Sequence, residues 1–171
     1  MKKNIIQLFL GFLLINSCSN NNSFEEFDIT YSNFFQAHNS IKLTKSDTVF
    51  IRKYYENFEL EHPYYHENYY TILNKDDRKK INNSLKNIKL EEYDSTYLDN
   101  NFFDGFIYKL YLKKNNIEKT VLVYSRNSPE ELDSLTELII SSIENLKLHK
   151  TDKKFEIKSQ DIFPEPEKIT E

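Results

Sequence analysis

The chain has 171 residues, 29% of them charged, and a formal net charge of −4. No Lys/Arg cluster offsets that acidic balance, so it excludes the basic surface that nucleic-acid binding requires, and no nucleic-acid partner is expected. The length corresponds to one ordinary domain. Because the chain has a single cysteine, no internal disulfide can form, and packing has to stabilise the fold.

The N-terminal segment has the layout of an export signal. Lys2 and Lys3 precede an apolar run from Ile5 to Ile15, and Cys18 follows after two polar residues. That run is shorter than the roughly 20 residues that a membrane-spanning helix needs. The sequence therefore predicts residues 1–17 as a signal peptide. Its removal would change the formal net charge from −4 to −6, because both N-terminal lysines would be lost.

The segment Leu14-Ile15-Asn16-Ser17-Cys18 resembles the lipobox of bacterial lipoproteins. An aliphatic residue stands three positions before the cysteine and a small residue directly before it, whereas Asn16 replaces the small residue that is usual there. The resemblance implies that Cys18 is the lipidation site, acylated with diacylglycerol, and becomes the N-terminus of a protein attached to a membrane through its N-terminal lipid. A secreted protein cut elsewhere is the alternative.

Composition extends this resemblance. The chain is rich in Lys and Asn, has no Trp, and is similar to small exported lipoproteins of Bacteroidota-type bacteria. Ser19 after the cysteine resembles the pattern of lipoproteins sent to the outer membrane. The localisation implied is the cell envelope, with the domain facing either the periplasm or the cell surface.

The mature chain divides into three parts by composition. Residues 18–23 carry the lipidated cysteine and a polar tether with three consecutive asparagines. A single α+β domain is expected over 24–158. Residues 159–171, with Pro164 and Pro166 among acids, are expected to form a loose acidic tail. The sequence leaves open whether 149–163 adds an edge strand.

Alternating and β-rich runs predict the strands. Phe27, Ile29 and Tyr31 alternate with polar residues in the pattern of a half-buried strand, and 48–55 and 68–73 are two further runs. The clearest signal is a hairpin over 108–124 with Asn115-Asn116 as its turn. This turn fixes a register that places polar and apolar side chains on opposite faces of the hairpin. The pairs on one face are Lys113 with Glu118 and Tyr111 with Thr120, and those on the other are Leu110 with Val121 and Tyr108 with Val123.

Two helices follow pairs of predicted strands. Asn74 is a good N-cap for the first, with Ile81, Leu85 and Ile88 on one face. The second, about a turn longer, follows a predicted capping box of Ser128 and Glu131 with Pro129 at the first helical position. Its apolar face comprises Leu132, Leu135, Leu138, Ile139, Ile143 and Leu146.

The expected fold class is therefore α+β, an antiparallel sheet of about four to five strands with two helices on one face. The two helices end alike, in Asn87-Ile88-Lys89-Leu90 and Asn145-Leu146-Lys147-Leu148. This similarity indicates a ββα-ββα pseudo-repeat, with coincidence in a Lys/Asn/Leu-rich chain as the alternative.

Half of the tyrosines lie in one short segment, as adjacent pairs. They are Tyr54, Tyr55, Tyr64, Tyr65, Tyr69 and Tyr70. In a strand each pair directs one ring to the core and one to solvent, and exposed rings could stack on a sugar or contact a peptide. These six residues are the candidate ligand-binding set; the alternative is that tyrosine is simply a favoured strand residue.

Metal and catalytic patterns are weak. His62 and His66 are four apart, but Pro63 and the tyrosine pairs favour extended chain over the helix that a zinc site would use. Asp94 to Gly105 is acidic, yet it fails the EF-hand template, and Asp104-Gly105 indicates a turn. No phosphate-binding glycine loop or nucleophile motif occurs. No metal, cofactor or catalytic residue is expected, and the protein is not expected to be an enzyme.

The sequence thus predicts a lipid-anchored envelope lipoprotein that acts as a non-catalytic binding or structural interaction module, with an envelope protein as its partner. One alternative is an accessory lipoprotein that binds a glycan or small ligand through residues 54–70. A further alternative is an enzyme whose site has no local sequence motif. The sequence carries no indication of the oligomeric state.

Overall fold

A computed structural model describes residues 23–33, 38–56, 64–99, 106–124 and 126–160. Within these ranges eight strands and two helices occur, with one 3-10 turn at Leu90–Glu92. In chain order they are β1 Glu26–Asn33, β2 Asn39–Leu43, β3 Thr48–Glu56, β4 Tyr64–Ile72, α1 Lys75–Asn87, β5 Thr96–Leu98, β6 Phe106–Lys114, β7 Ile117–Tyr124, α2 Glu130–Glu144 and β8 His149–Lys150.

All of the described strands belong to one mixed sheet. Its strand order is β5-β7-β6-β1-β2-β3-β4-β8. Strand β5 runs parallel to β7, and every other neighbouring pair is antiparallel. The predicted antiparallel sheet of four to five strands with a ββα-ββα pseudo-repeat is therefore wrong.

Three strands, all short, were not predicted, which explains the error. β2 has five residues, β5 three and β8 two, and β8 lies in the range where the sequence left an edge strand open. Runs of this length show little or no periodicity, and their pairing depends on distant strands. The pseudo-repeat would need two strands before each helix. Instead, four strands precede α1 and three lie between α1 and α2. The similar helix ends are a coincidence of composition.

The hairpin of β6 and β7 is confirmed in register. All four predicted pairs form, from Lys113 opposite Glu118 to Tyr108 opposite Val123. Asn115 and Asn116 have φ values of 54° and 63°, the left-handed conformation that a two-residue type I′ turn requires. The turn is therefore local in origin, because asparagine tolerates that conformation better than most residues.

This turn gives a direct test of the local geometry. We expect Asn116→Val to lower the free energy of unfolding by about 1–2 kcal/mol, because a β-branched side chain is disfavoured at positive φ, and Asn116→Gly to raise it slightly. Urea unfolding of the full chain measures both. Asn83→Val, at an exposed position of α1, is the control and should change stability by no more than about 0.5 kcal/mol. Equal effects of the two valine substitutions would contradict the turn assignment.

The two helices start differently. Asn74 caps α1 as predicted, since its Oδ1 accepts a hydrogen bond of 2.8 Å from the Asp77 amide. The predicted capping box of α2 is wrong, because Pro129 occupies the N-cap and makes no side-chain cap bond. The Ser128 hydroxyl instead donates to the Asp133 carboxylate, and hydrogen bonds to a charged acceptor are stronger than neutral ones.

One face of the sheet, here called the helix face, carries both helices. Its side chains and the apolar faces of α1 and α2 form a single buried cluster. Fully buried members include Phe27, Ile29, Ile41, Leu110, Leu112, Ile81, Leu85, Leu132, Leu135 and Ile139. The predicted helical faces are thus confirmed, with Leu138 and Leu146 packing only partly buried at the margin.

The opposite face, here called the strap face, mixes polar side chains with buried apolar ones such as Phe50 and Ile107. It is crossed by the extended segment 151–160, here called the strap. Asp28 accepts hydrogen bonds from the strap amides of Lys158 and Ser159. Arg52 donates to the Phe155 carbonyl at 2.7 Å. Asp28 and Thr30, whose alternation with apolar residues marked a half-buried strand, are consequently 0% and 1% exposed. Ser159, placed in the tail by composition, is also fully buried.

The two ends of the sheet differ in what they carry. At the hairpin end lie the β6-β7 turn and the start of β1, since Glu26 is opposite Lys113. At the distal end lie the last residues of β1 and β3 and the first of β4 and β6, with Asn33 opposite Phe106 and Glu56 opposite Tyr64. The tyrosine pairs of β3 and early β4 are therefore distal.

Candidate functional site

In two of the tyrosine pairs, Tyr54 with Tyr55 and Tyr69 with Tyr70, the rings lie on opposite faces as predicted. All four rings are half-buried, so the predicted assignment of one ring to the core and one to solvent is wrong. Tyr55 and Tyr69 lie on the helix face, with their hydroxyls 3.4 Å apart. Tyr54 and Tyr70 lie on the strap face beside histidines. The side chain of Tyr64 lies outside the described residues. The candidate set is thus not one surface but two.

The tyrosines on the helix face, together with two charged neighbours, form a surface that we call the tyrosine patch. Its members are Tyr55, Tyr65, Tyr69, Glu67 and Lys150. Tyr55 and Tyr65 stack with ring centroids 5.2 Å apart. Glu67 accepts a hydrogen bond from the Tyr69 hydroxyl and pairs with the Lys150 ammonium. The hydrogen bond to Glu67 raises the pKa of Tyr69, while Lys150 lowers the pKa of Glu67. Tyr65 is 43% exposed, so it is the ring available to a partner.

The strap-face rings pair with histidines instead. Tyr54 stacks on His38 at 4.0 Å between centroids and lies 5.9 Å from His66, while Tyr70 stacks on His149. Partial burial and the nearby Arg52 charge lower the pKa of His66, which favours its neutral form. His62 lies outside the described residues, and the structure groups no three metal-ligating side chains among those that it describes.

The outer edge of β4 is only partly paired. β8 pairs with Tyr69 and Tyr70 alone, and the Thr151 amide adds one bond to the Asn68 carbonyl. In the part of the chain that the structure describes, no strand pairs with this edge at Tyr65, His66 and Glu67. An unpaired edge of this kind is a template for strand addition by another chain.

A concave site lies elsewhere, between α2 and the distal half of the helix face. It consists of two hollows of about 320 Å³ and 200 Å³ that share Phe106, and we call it the α2 groove. Phe106 is 39% exposed and lies between Tyr31 and Tyr108, at 5.8 and 5.9 Å between ring centroids. The groove thus has an aromatic centre.

One end of the α2 groove is a small polar hollow. Asp133 accepts hydrogen bonds from the Tyr108 hydroxyl, at 2.7 Å, and from Ser128. Burial and, to a smaller extent, the hydrogen bond to Asp133 raise the pKa of Tyr108 well above its usual range. The phenol therefore stays protonated. Thr136 and Glu137 complete the polar lining of this end.

The other end is wider and is lined by more aliphatic side chains. Ile41, Ile51, Ile140, Ile143 and Leu148 line it together with Tyr31 and Asn39. Its charged side chains are Lys53 and Glu144, and burial followed by the Glu144 charge raises the pKa of Tyr31. The Lys53 ammonium also lies 5.7 Å from the Tyr69 ring centroid. The groove is therefore continuous with the tyrosine patch.

Sequence reasoning missed the groove. The sequence predicts Tyr108 as a hairpin residue opposite Val123 and Ile143 as part of the apolar face of α2, and nothing local indicates that α2 leaves a gap over Phe106. The one usable signal was the composition of α2, which has no basic residue. The turn predicted at Asp104-Gly105 and the lipidation site Cys18 both lie outside the described residues.

Searches with this chain against protein-family models, curated proteins and solved structures give no match. Separately, no helix in the described ranges is long and apolar enough to cross a membrane. The function is therefore inferred from the residues themselves.

Proposed function

We propose that this chain is a lipid-anchored envelope protein that binds a protein partner, without catalysis, through the distal end of its sheet. The observation that carries the proposal is the separation of two features. The chain enters the domain at the hairpin end, and the exposed tyrosine, the open β4 edge and the α2 groove are all at the other end.

The entry point is fixed by residues just after the predicted tether. The Glu25 amide donates to the Lys113 carbonyl at 2.8 Å, and the Glu25 carboxylate accepts from the Asn116 amide at 3.0 Å. Phe24 lies six positions after Cys18, a reach of roughly 20–22 Å at most. A lipid on Cys18 would therefore hold the hairpin end near the membrane.

The distal end would then face away from the membrane. The long strands have eight or nine residues, and at about 3.3 Å per residue they span roughly 25–30 Å. A partner in the periplasm, or outside the cell if the anchor is on the outer leaflet, would meet the distal end first. We include the outer membrane in this proposal because Ser19, directly after the cysteine, resembles the pattern of lipoproteins sent there.

The distal surface has the chemistry of a protein interface. Tyr65 offers an amphipathic ring that loses little conformational entropy on binding. The backbone groups of the β4 edge at His66 and Glu67 can pair with an extended segment of another chain. The rest of the tyrosine patch holds these groups in place through the Tyr55 stack and the Glu67 ion pair.

A matched set of variants tests this surface in the native envelope. We expect crosslinked co-purification of the full chain to yield one stoichiometric protein partner. The double substitution Tyr55→Ser and Tyr65→Ser should reduce its recovery at least about tenfold, the scale of an interface hot spot. Ile117→Ser is the control, because Ile117 is 48% exposed at the hairpin end, and it should retain the partner.

The other outcomes decide against parts of the proposal. Retention of the partner by the double variant would place the interface elsewhere. No partner in any sample would contradict protein binding and favour the glycan or small-ligand alternative. That alternative has its own observation in the α2 groove, which adjoins the tyrosine patch through Lys53.

A further inference from the structure

The charge on α2 is unbalanced. The helix carries Glu130, Glu131, Asp133, Glu137 and Glu144 and no basic side chain. None of the six ion pairs found among the described residues involves any of them. Carboxylates that form no ion pair repel one another along a helix, so α2 presents a negative field that a bound cation would relieve.

Two of these carboxylates belong to the same small hollow. Asp133 and Glu137 are one helical turn apart and line the 200 Å³ end of the α2 groove. The rings of Phe106 and Tyr108 line it as well. Carboxylates next to aromatic faces are the combination that stabilises a desolvated organic cation, by charge and by cation–π attraction.

A second, independent observation is an unsatisfied hydroxyl in the same hollow. Thr136 is 1% exposed, and its Oγ1 has no hydrogen-bond partner among the described residues. The Thr136 hydroxyl lies close enough to the Tyr108 phenol oxygen to lower the pKa of that phenol. Because the phenol donates its own proton to Asp133, it cannot donate to Thr136 Oγ1. A buried polar atom left in this state costs stability, and a bound donor would satisfy it.

We infer that this end of the α2 groove binds an organic cation, an ammonium or guanidinium group on a short apolar stem. The cationic head would lie between Asp133 and Glu137, with its N–H groups donating to these carboxylates and to Thr136 Oγ1. The stem would extend past Phe106 toward Ile140 and Ile143 in the wider hollow. Such a group occurs in free amines and in the lysine or arginine side chains of a protein, and the site recognises the chemistry that they share.

The binding test uses three small probes with the full chain in detergent. They are butylammonium, N-acetyl-arginine amide and neutral 1-pentanol. We expect the two cations to shift the amide NMR signals of Phe106 and residues 133–137 saturably, and 1-pentanol to leave the signals of 133–137 unchanged. Tighter binding of the arginine derivative would identify a guanidinium, and therefore a protein side chain, as the source. If butylammonium binds more tightly, N-acetyl-lysine amide is compared with it, and tighter binding of that derivative would identify a lysine side chain, weaker binding a free amine. Because this test involves neither the lipid nor a partner, its result is independent of the proposed function.

Three variants locate the effect. Glu137→Gln should weaken cation binding about fivefold or more, since one charge-assisted hydrogen bond is lost. Glu130→Gln removes the same charge from the same helix, outside the hollow, and should change affinity less than about twofold. Thr136→Val should weaken binding by a similar factor to Glu137→Gln while leaving the free energy of unfolding unchanged or raised, because its hydroxyl has no partner to lose.

Several results would overturn the inference. These are the absence of saturable shifts at 133–137 with either cation, equal shifts with 1-pentanol, or equal weakening by the two glutamate substitutions. Destabilisation by Thr136→Val with unchanged cation affinity would show that this hydroxyl is structural and would also reject the site.

Discussion

Replacing Asp28 with alanine is expected to lower the free energy of unfolding by roughly 2–4 kcal/mol. The Asp28 carboxylate is fully buried and accepts hydrogen bonds of 3.1 and 2.8 Å from the backbone amides of Lys158 and Ser159. Alanine would leave both amides without an acceptor under the strap. The strap should then detach and expose the strap face of the sheet.

Urea unfolding measures the stability change, and amide hydrogen exchange at Lys158 and Ser159 reports strap detachment. Asp28→Asn is the control, because its side-chain oxygen can still accept from both amides. We expect it to lose distinctly less stability than the alanine variant and to keep these amides protected. Equal losses in the two variants, or protected amides in the alanine variant, would show that Asp28 does not hold the strap.

The same pair of proteins gives a pH test. Burial raises the pKa of Asp28 above its ordinary value of 3.8, despite the lowering effects of the two amides and of Lys42. A raised folded-state pKa contributes stability that is fully present below about pH 4 and declines as pH rises through the folded pKa. The free energy of unfolding of the wild type minus that of Asp28→Asn should therefore fall as the pH rises above about 4. A rising difference would contradict the assignment.

Substituting Cys18 with serine is expected to abolish membrane anchoring. If Cys18 is the acylated residue, serine removes the only thiol in the chain, and no thioether to diacylglycerol can form. Mass spectrometry of the N-terminal peptide should show a lipid on the wild type and none on the variant. The variant should either leave the membrane fraction or keep its signal peptide.

Ser17→Ala is the matched control for this prediction. It keeps a small residue before the cysteine and should be lipidated like the wild type. An unchanged membrane fraction and an unchanged mass in Cys18→Ser would reject the lipoprotein assignment, and with it the proposed orientation of the distal end away from the membrane. The fold and the α2 groove would not be affected by that result.

The sequence predicted those features whose cause is local. The β6-β7 register follows from its alternation and from the tolerance of Asn115 and Asn116 for positive φ. The Asn74 cap is set within one helical turn. The division of Tyr54 from Tyr55 needs only that they lie in a strand. In each case the interacting residues are close in the chain, so a short window contains the whole explanation.

Errors arose where distant residues compete. Ser128 was expected to cap α2, but it donates to Asp133, which Tyr108 also contacts from another element. The β5 and β8 strands exist because β7 and β4 offer them an edge. The same is true of the candidate site, since the sequence identified the tyrosines but not the groove beside them.

The sequence by itself therefore determined an acidic chain with a lipoprotein-like leader, one confident hairpin, two amphipathic helices and paired tyrosines. Only the tertiary structure decided the eight-stranded mixed order, the burial of Asp28 under the strap, the separation of the tyrosine rings and the α2 groove. The physical reason is that propensity and periodicity act over a few residues. Burial, strap docking and the gap over Phe106 depend instead on side chains up to 131 positions apart in the chain, the separation between Asp28 and Ser159.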